Sequence, residues 1–224
     1  MAAEVSGQRV RRTQAQRTAA MRTRLLDATI ECLVTYGYAG TTTPRVAQLA
    51  GVTRGAQIHH FRSKEDLVVA AIEHLAQQRT QAAIREFGRV EASADPASAV
   101  LDFLWQAHQG PTFTAALELW VAGRTDPVLA RQVERVEPVV NSTLIAVIAQ
   151  LVPDHPAQKQ IRNVVYTAMD ALRGILMASF VDRDAGRARR RWDRACEHLH
   201  VLLAEVLPAG SDAQRDRGDQ VLQT

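Results

Sequence analysis

The chain of 224 residues is long enough for one large or two small domains, and it is 46% hydrophobic yet only 5% aromatic, which suits an Ala- and Leu-rich helical protein. No uninterrupted apolar run approaches the ~18 residues of a membrane-spanning helix, and residues 1–20 are polar and Arg-rich without the apolar stretch of a secretory signal. The net charge of +3 hides an asymmetry: residues 1–62 hold nine arginines against Glu4, Asp27 and Glu31, a net +6, and the remainder carries −3. A basic end on a slightly acidic body is the electrostatic footprint of a nucleic-acid binder. The two cysteines, Cys32 and Cys196, lie far apart in sequence and read as free thiols of a protein in the reducing cytoplasm.

In chain order, residues 1–17 lack apolar periodicity and carry Arg9, Arg11, Arg12 and Arg17. They form either a tail with no role or a basic arm adding phosphate or minor-groove contacts. From about Arg17 to Tyr36, Leu25, Ala28, Thr29, Cys32 and Leu33 recur at i, i+3, i+4 spacing, which predicts a helix capped by Gly37. The stretch from Thr41 to Leu67 then divides by its own start and stop signals. Thr42 and Thr43 can cap a helix with Pro44 in its first turn; Val46, Ala47, Leu49 and Ala50 give it one apolar face, and Gly51 ends it. Thr53 caps the next helix, Arg54 to His60, and Ser63 with Asp66 resembles a capping box that opens a third. Two short helices joined by a tight Gly turn are a helix-turn-helix, and the second, with Arg54, Gln57, His59 and His60, has the hydrogen-bonding side chains a helix in a DNA major groove needs.

This run resembles the DNA-binding domain of the TetR family of bacterial transcriptional regulators. The matching features are Thr42, Val46-Ala47, Ala50-Gly51-Val52-Thr53, Gly55, His60-Phe61, Ser63-Lys64 and Leu67, and with the preceding helix the resemblance covers about residues 20–75. It implies an all-α protein with an N-terminal three-helix DNA-binding domain and a C-terminal helical domain for ligand binding and dimerisation. The expected DNA contacts are Thr42, Arg45, Thr53, Arg54, Gly55, Gln57, His59, His60 and Lys64. Arg54 can take guanine O6 and N7 bidentately, the threonine hydroxyls can reach phosphates, and Lys64 looks like the family's phosphate lysine. Gly55 either permits close approach to the duplex or serves local packing, and Gln57 either bonds within the domain or turns to the groove to read adenine. Three positions depart from the common family pattern: Ala56 stands where a phosphate-binding Thr is usual, Ile58 replaces a frequent Tyr, and Gln57 occupies a usually apolar, inward position.

Beyond it, a long helix is expected from Lys64 to about Val90, its first part turned inward through Leu67, Ala70, Ala71, His74, Leu75 and Ala82. Asp95-Pro96, Asp126-Pro127 and Asp154 with Pro156 are three further helix starts. The segments carry Val100, Leu101, Phe103, Leu104 and Ala107; then, after Gly110-Pro111, Phe113, Ala116, Leu117, Trp120 and Val121; then Val133, Val136, Val140, Leu144, Val147, Ile148 and Leu151. The helix from Ile161 to Phe180 is apolar on more than one side, so it is expected to face its own domain and a second subunit. The last helix, about Ala188 to Leu207, joins it through Trp192, Ala195, Leu199, Leu202, Leu203 and Val206 as the homodimer interface. The domain boundaries expected are 1–17 basic arm, 18–75 DNA-binding, 76–208 ligand-binding and dimerisation, and 209–224 polar tail.

A ligand pocket, implied by the resemblance, draws its candidates from Trp105, His108, Phe113, Leu117, Trp120, Tyr166, Met169, Arg173 and Met177, apolar walls with a few polar groups. Arg173, in the most apolar helix, requires a partner: Asp170, Glu118 or an anionic ligand. Enzyme readings find no support, since no nucleophile elbow, Walker A loop, dinucleotide fingerprint or HExxH occurs; no cofactor is expected. Cys196, His198 and His200 do not close a metal site, because His198 points away from the other two. The expectation is a DNA-binding regulator, most simply a homodimeric repressor that binds a pseudo-palindromic double-stranded operator and is released by a small amphipathic effector, with a ligand-independent regulator as the alternative.

Overall fold

Thr13 opens the first helix through a reciprocal capping box: its hydroxyl accepts from the Gln16 N–H at 3.2 Å and the Gln16 side chain accepts from the Thr13 N–H at 2.9 Å. The helix therefore begins three residues before Arg17, inside the stretch expected as an arm. The computed structural model describes residues 13–91, 93–152 and 155–207. The remaining arm arginines, the Asp154 start signal and the tail 209–224 lie outside them. Among the described residues the regular structure is entirely helical: α1 (Gln14–Gly40), α2 (Thr43–Leu49), α3 (Arg54–His60), α4 (Lys64–Glu91), α5 (Pro96–Ala107), α6 (Gly110–Gly123), α7 (Pro127–Ala149), α8 (His155–Ala178) and α9 (Arg187–Ala204). None of these is long and apolar enough to cross a membrane.

The chain divides into two compact units, Met1–Ala71 and Ile72–Thr224. In the first, Leu25, Leu26, Ala28 and Cys32 of α1 pack with Val46, Ala50, Phe61, Leu67, Ala70 and Ala71. Gly37, at φ 68°, breaks the α1 hydrogen-bond ladder where the sequence places a cap, and one further turn follows to Gly40. In the second unit α5 packs on α8 and α9, α6 on α7, and α7 on α8. The two aspartate starts among the described residues work as read: Asp95 Oδ1 accepts from the Ser98 N–H at 3.1 Å, and Asp126 Oδ1 from Val128 and Leu129, each at 3.0 Å.

Three side-chain assignments differ, the first being Leu49 of α2, which is exposed and not on the buried face. On α4 the buried series is Ile72, Leu75, Ala76, Arg79, Ala83 and Val90, so Ala83 and not Ala82 faces inward; a stripe at 3.6 residues per turn advances by one position there. On α6 the buried series ends at Leu119, and Val121 is exposed. Cys32 is buried and Cys196 half-buried, both as free thiols.

Candidate nucleic-acid interface and effector cavity

Between α2 and α3 the chain turns by a Schellman arrangement. Gly51, at φ 61°, donates its N–H to Gln48 O at 3.1 Å, and Val52 donates to Ala47 O at 3.0 Å. Arg24 of α1, which the sequence did not mark, clamps this corner by donating from Nε to Ala50 O at 3.2 Å and from Nη2 to Ala50 O and Gly51 O. Carbonyls that α2 leaves unpaired at its end are thereby satisfied. Thr42 and Thr53 cap as expected, accepting from the Arg45 and Ala56 N–H groups at 3.4 and 3.2 Å.

On α3 the exposed face carries Arg54, Gly55, Ile58 and His59, positions i, i+1, i+4 and i+5 of one side of a helix. Gly55 is not required for internal packing: a Cβ there would meet only the Thr53 hydroxyl, 4.0 Å away. The Gln57 alternative resolves inward: the side chain is 1% exposed and its Nε2 donates to Phe61 O at 2.6 Å, so it ties off the end of α3 and has no surface to offer a base. His60 is half-buried, its ring edge-on to His59 at 5.5 Å between centroids, and burial followed by His59 and Arg22 holds its pKa below the usual value. Arg45 turns back to donate to Gly40 O and lies 4.2 Å over the Tyr36 ring. Lys64 donates to Tyr38 O at 2.6 Å and lies 3.9 Å over the Tyr38 ring, which leaves two of its three N–H donors for other partners.

The pocket candidates separate in the second unit. Leu117 and Met169 are fully buried core, Trp105 packs against the main cluster under Arg189, and Tyr166 and Met177 are exposed. None of these five lines the spaces that adjoin Arg79, and Tyr166 borders a separate one of ≈ 390 Å³; packing of the helices, invisible in the sequence, sends them elsewhere. His108, Phe113 and Trp120 do come together, with centroids 4.8 Å apart for the first pair and 6.3 Å for the second. Arg173 finds internal partners: Nη2 donates to Asn141 Oδ1 at 2.6 Å, Nη1 to Glu137 Oε1 at 3.3 Å, Asp170 is at 3.6 Å, and the guanidinium lies 4.9 Å over Trp120.

Residue 79 is the functional candidate that sequence reasoning missed. Arg79, only 7% exposed, lies 5.5 Å over the Phe113 ring and lines two spaces. One is a cavity of ≈ 30 Å³ among Leu75, Ala76, Leu119, Trp120 and Glu137; the other is a cleft of ≈ 470 Å³ among Ala83, Phe103, Gln106, Ala107, Gln109 and Thr112. Burial, then Arg173, lowers its pKa to about 10, so it remains charged at neutral pH. His108 donates from Nδ1 to Leu104 O at 2.8 Å, and burial, then Arg79, lowers its pKa to about 3, so it is neutral. The signal for Arg79 was available: it is the one arginine in the apolar register of α4.

Residues 25–71 match the model for "Bacterial regulatory proteins, tetR family", the span holding most of the first unit's core and all of α2 and α3. The chain is 31% identical over 184 residues to the HTH-type transcriptional regulator CymR of Pseudomonas putida, covering 80% of this chain and 89% of that protein. It is 30% identical over 190 residues to the regulator BetI of Burkholderia cenocepacia, covering 82% and 94%. Among solved structures, a TetR-family transcriptional regulator from Cytophaga hutchinsonii superposes with a TM-score of 0.62 at 16% identity, covering 88% of this chain and 98% of that one. The multidrug binding protein EbrR complexed with imidazole superposes at 0.55 and 21% identity, covering 84% and 94%. This chain belongs to the TetR family and is a DNA-binding transcriptional regulator.

Proposed function

We propose that the protein is a cytoplasmic homodimeric repressor that binds a pseudo-palindromic operator and releases it when a small amphipathic molecule occupies the helical unit. The observation that carries the DNA reading is the exposed α3 face of Arg54, Gly55, Ile58 and His59, held from behind by the buried Gln57 and Phe61. Arg54 would read a guanine, Ile58 would contact a thymine methyl, and Lys64 and the capping threonines would take phosphates. Dimerisation is supported by Tyr166 and Met177 on α8 and Val201 and Leu202 on α9, large apolar side chains left exposed by a single chain. Effector control is supported by the cleft at Arg79, and by analogy with EbrR, a fold relative whose structure holds imidazole. Release would run through α4, one continuous helix that contributes Leu67, Ala70 and Ala71 to the first unit's core and Arg79 to the cleft wall. A ligand must favour the released state to shift the equilibrium, and a coupling of about 1–3 kcal/mol weakens operator binding about 5–150-fold.

One observation favours the second reading, a ligand-independent regulator. The space of ≈ 30 Å³ holds little more than a water, and at Arg79 ligand-sized room is confined to the neighbouring cleft. Gel-shift titration of DNA upstream of the protein's own coding sequence tests the DNA reading. Arg54→Ala should relax the preference at one base pair of each half-site, at a cost of about 1–3 kcal/mol. Equal affinity of the parent protein for operator and random DNA at physiological salt would sink it.

A further inference from the structure

Arg79 is a buried cation whose counter-charge is not supplied by the described residues. Its Nε and Nη2 have no hydrogen-bond partner, and the Phe113 face at 5.5 Å offers only the weak attraction of a ring quadrupole. The carboxylate that acts on it is Glu137, and Glu137 Oε1 is already taken by Arg173 Nη1 at 3.3 Å and Asn141 Nδ2 at 3.2 Å. Asp170 serves Arg173 from an exposed position, and His108 is neutral. Glu137 is thus engaged by Arg173, and Asp170 pairs with Arg173 alone, so among the described residues no carboxylate forms an ion pair or hydrogen bond with Arg79 itself. A buried unpaired charge is strongly unfavourable, so the arrangement makes sense as one half of a pair.

The surroundings specify the other half. Arg79 stands where the small cavity and the larger cleft meet, and the cleft's ≈ 470 Å³ falls within the range of small-molecule sites. Gln109 lines the same cleft, and its Nε2 is also buried without a partner. A planar guanidinium and an amide N–H beside it match the two oxygens of a carboxylate, and Ala83, Phe103 and Ala107 offer an apolar wall for the rest of a ligand. We propose that Arg79, with Gln109, anchors the effector, and that the effector is an organic monocarboxylate whose apolar body lies along the α4–α5 cleft. Arg173, already paired with Glu137 and Asn141, lines neither space and is not the anchor. The proposal rests on the effector reading above and narrows it: a neutral molecule would leave the charge unpaired and a cation would add to it.

The test uses the full-length protein without DNA. Butanoate to decanoate, benzoate and phenylacetate are titrated by tryptophan fluorescence and thermal shift, each against its neutral amide. The expected result is that at least one acid binds and raises the melting temperature while its amide does not, and that Arg79→Met weakens that acid about 10- to 100-fold, the loss of a charge-assisted pair. Without ligand, Arg79→Met should melt no lower than the parent, because it replaces an unpaired buried cation by an apolar chain of similar length. Amides binding as tightly as acids, no acid in the series binding, undiminished binding by Arg79→Met, or a large loss of melting temperature in ligand-free Arg79→Met would each overturn the proposal. Operator affinity is measured separately. An acid that binds through Arg79 and leaves operator affinity unchanged supports the anion site and refutes release.

Discussion

At Gly55 the recognition helix has no Cβ on an exposed face where nothing inside the protein needs the space, the nearest atom to a Cβ being 4.0 Å away. Alanine there should leave the fold intact or raise its stability by up to about 1 kcal/mol through helix propensity, while operator affinity falls because the methyl stands between backbone and DNA. Thermal melts and gel shifts on Gly55→Ala separate the two effects; unchanged operator affinity would show that the glycine has no part in close approach. His108 makes a different prediction. Its pKa of about 3 in the folded chain lies below the ordinary 6.5, because burial and Arg79 disfavour its charged form. As pH falls through 6.5 the unfolded chain takes up a proton that the folded chain refuses, so stability contributed by this site is complete above 6.5 and is lost down to about 3, at up to about 1.4 kcal/mol per pH unit. His108→Gln should flatten the fall in urea-unfolding free energy between pH 7 and pH 5 relative to the parent; parallel curves would refute the assignment. The exposure of Arg54 was legible in the sequence because a cation at a helix start needs only local signals. Gln57 and Arg79 were not, since whether an inward polar group finds a partner depends on chain segments distant in sequence, such as Glu137, or on the far end of its own helix, as with Phe61 O.

Helix ends were the most legible elements, for the reason that caps are written within four residues. Ser63 and Asp66 form the expected box, with Asp66 N–H donating to Ser63 Oγ at 3.0 Å and Ser63 N–H to Asp66 Oδ2 at 3.2 Å. The Thr13 box was equally local and marks a start that the apolar periodicity, beginning further on, could not show. Which face an element buries was less legible, because a stripe such as Leu199, Leu202, Leu203 and Val206 does not say which residues meet their own chain: Leu199 and Leu203 belong to the core and Leu202 stands outside. The α2–α3 corner carries a prediction at this scale. Gly51 adopts φ 61°, where a Cβ costs about 1–2 kcal/mol although its nearest contact, the Arg24 guanidinium at 3.5 Å, is an ordinary one. Gly51→Ala should therefore destabilise the protein by about that amount through backbone strain alone, as read by urea unfolding. Full stability in the variant would mean that the turn relaxes to another conformation.

For the whole molecule the proposed dimer sets the clearest test. Leu202 is 44% exposed in one chain, so a carboxylate there costs an isolated subunit little, whereas in a seam it would be buried unpaired. Leu202→Glu should sediment as a folded monomer and lose cooperative operator binding; a folded dimer unchanged in sedimentation would place the interface away from α9. Leu199→Glu, at a residue 6% exposed within the core, reports on folding and not on assembly. The two free thiols bear on the molecule in another respect. Burial holds the Cys32 thiol above its usual pKa, and burial followed by Asp193 pushes Cys196 up to about 11, so neither is a thiolate at neutral pH. Peroxides and electrophiles attack the thiolate form. Both thiols are therefore poor targets for such reagents at neutral pH, and the proposed control by an effector does not run through them.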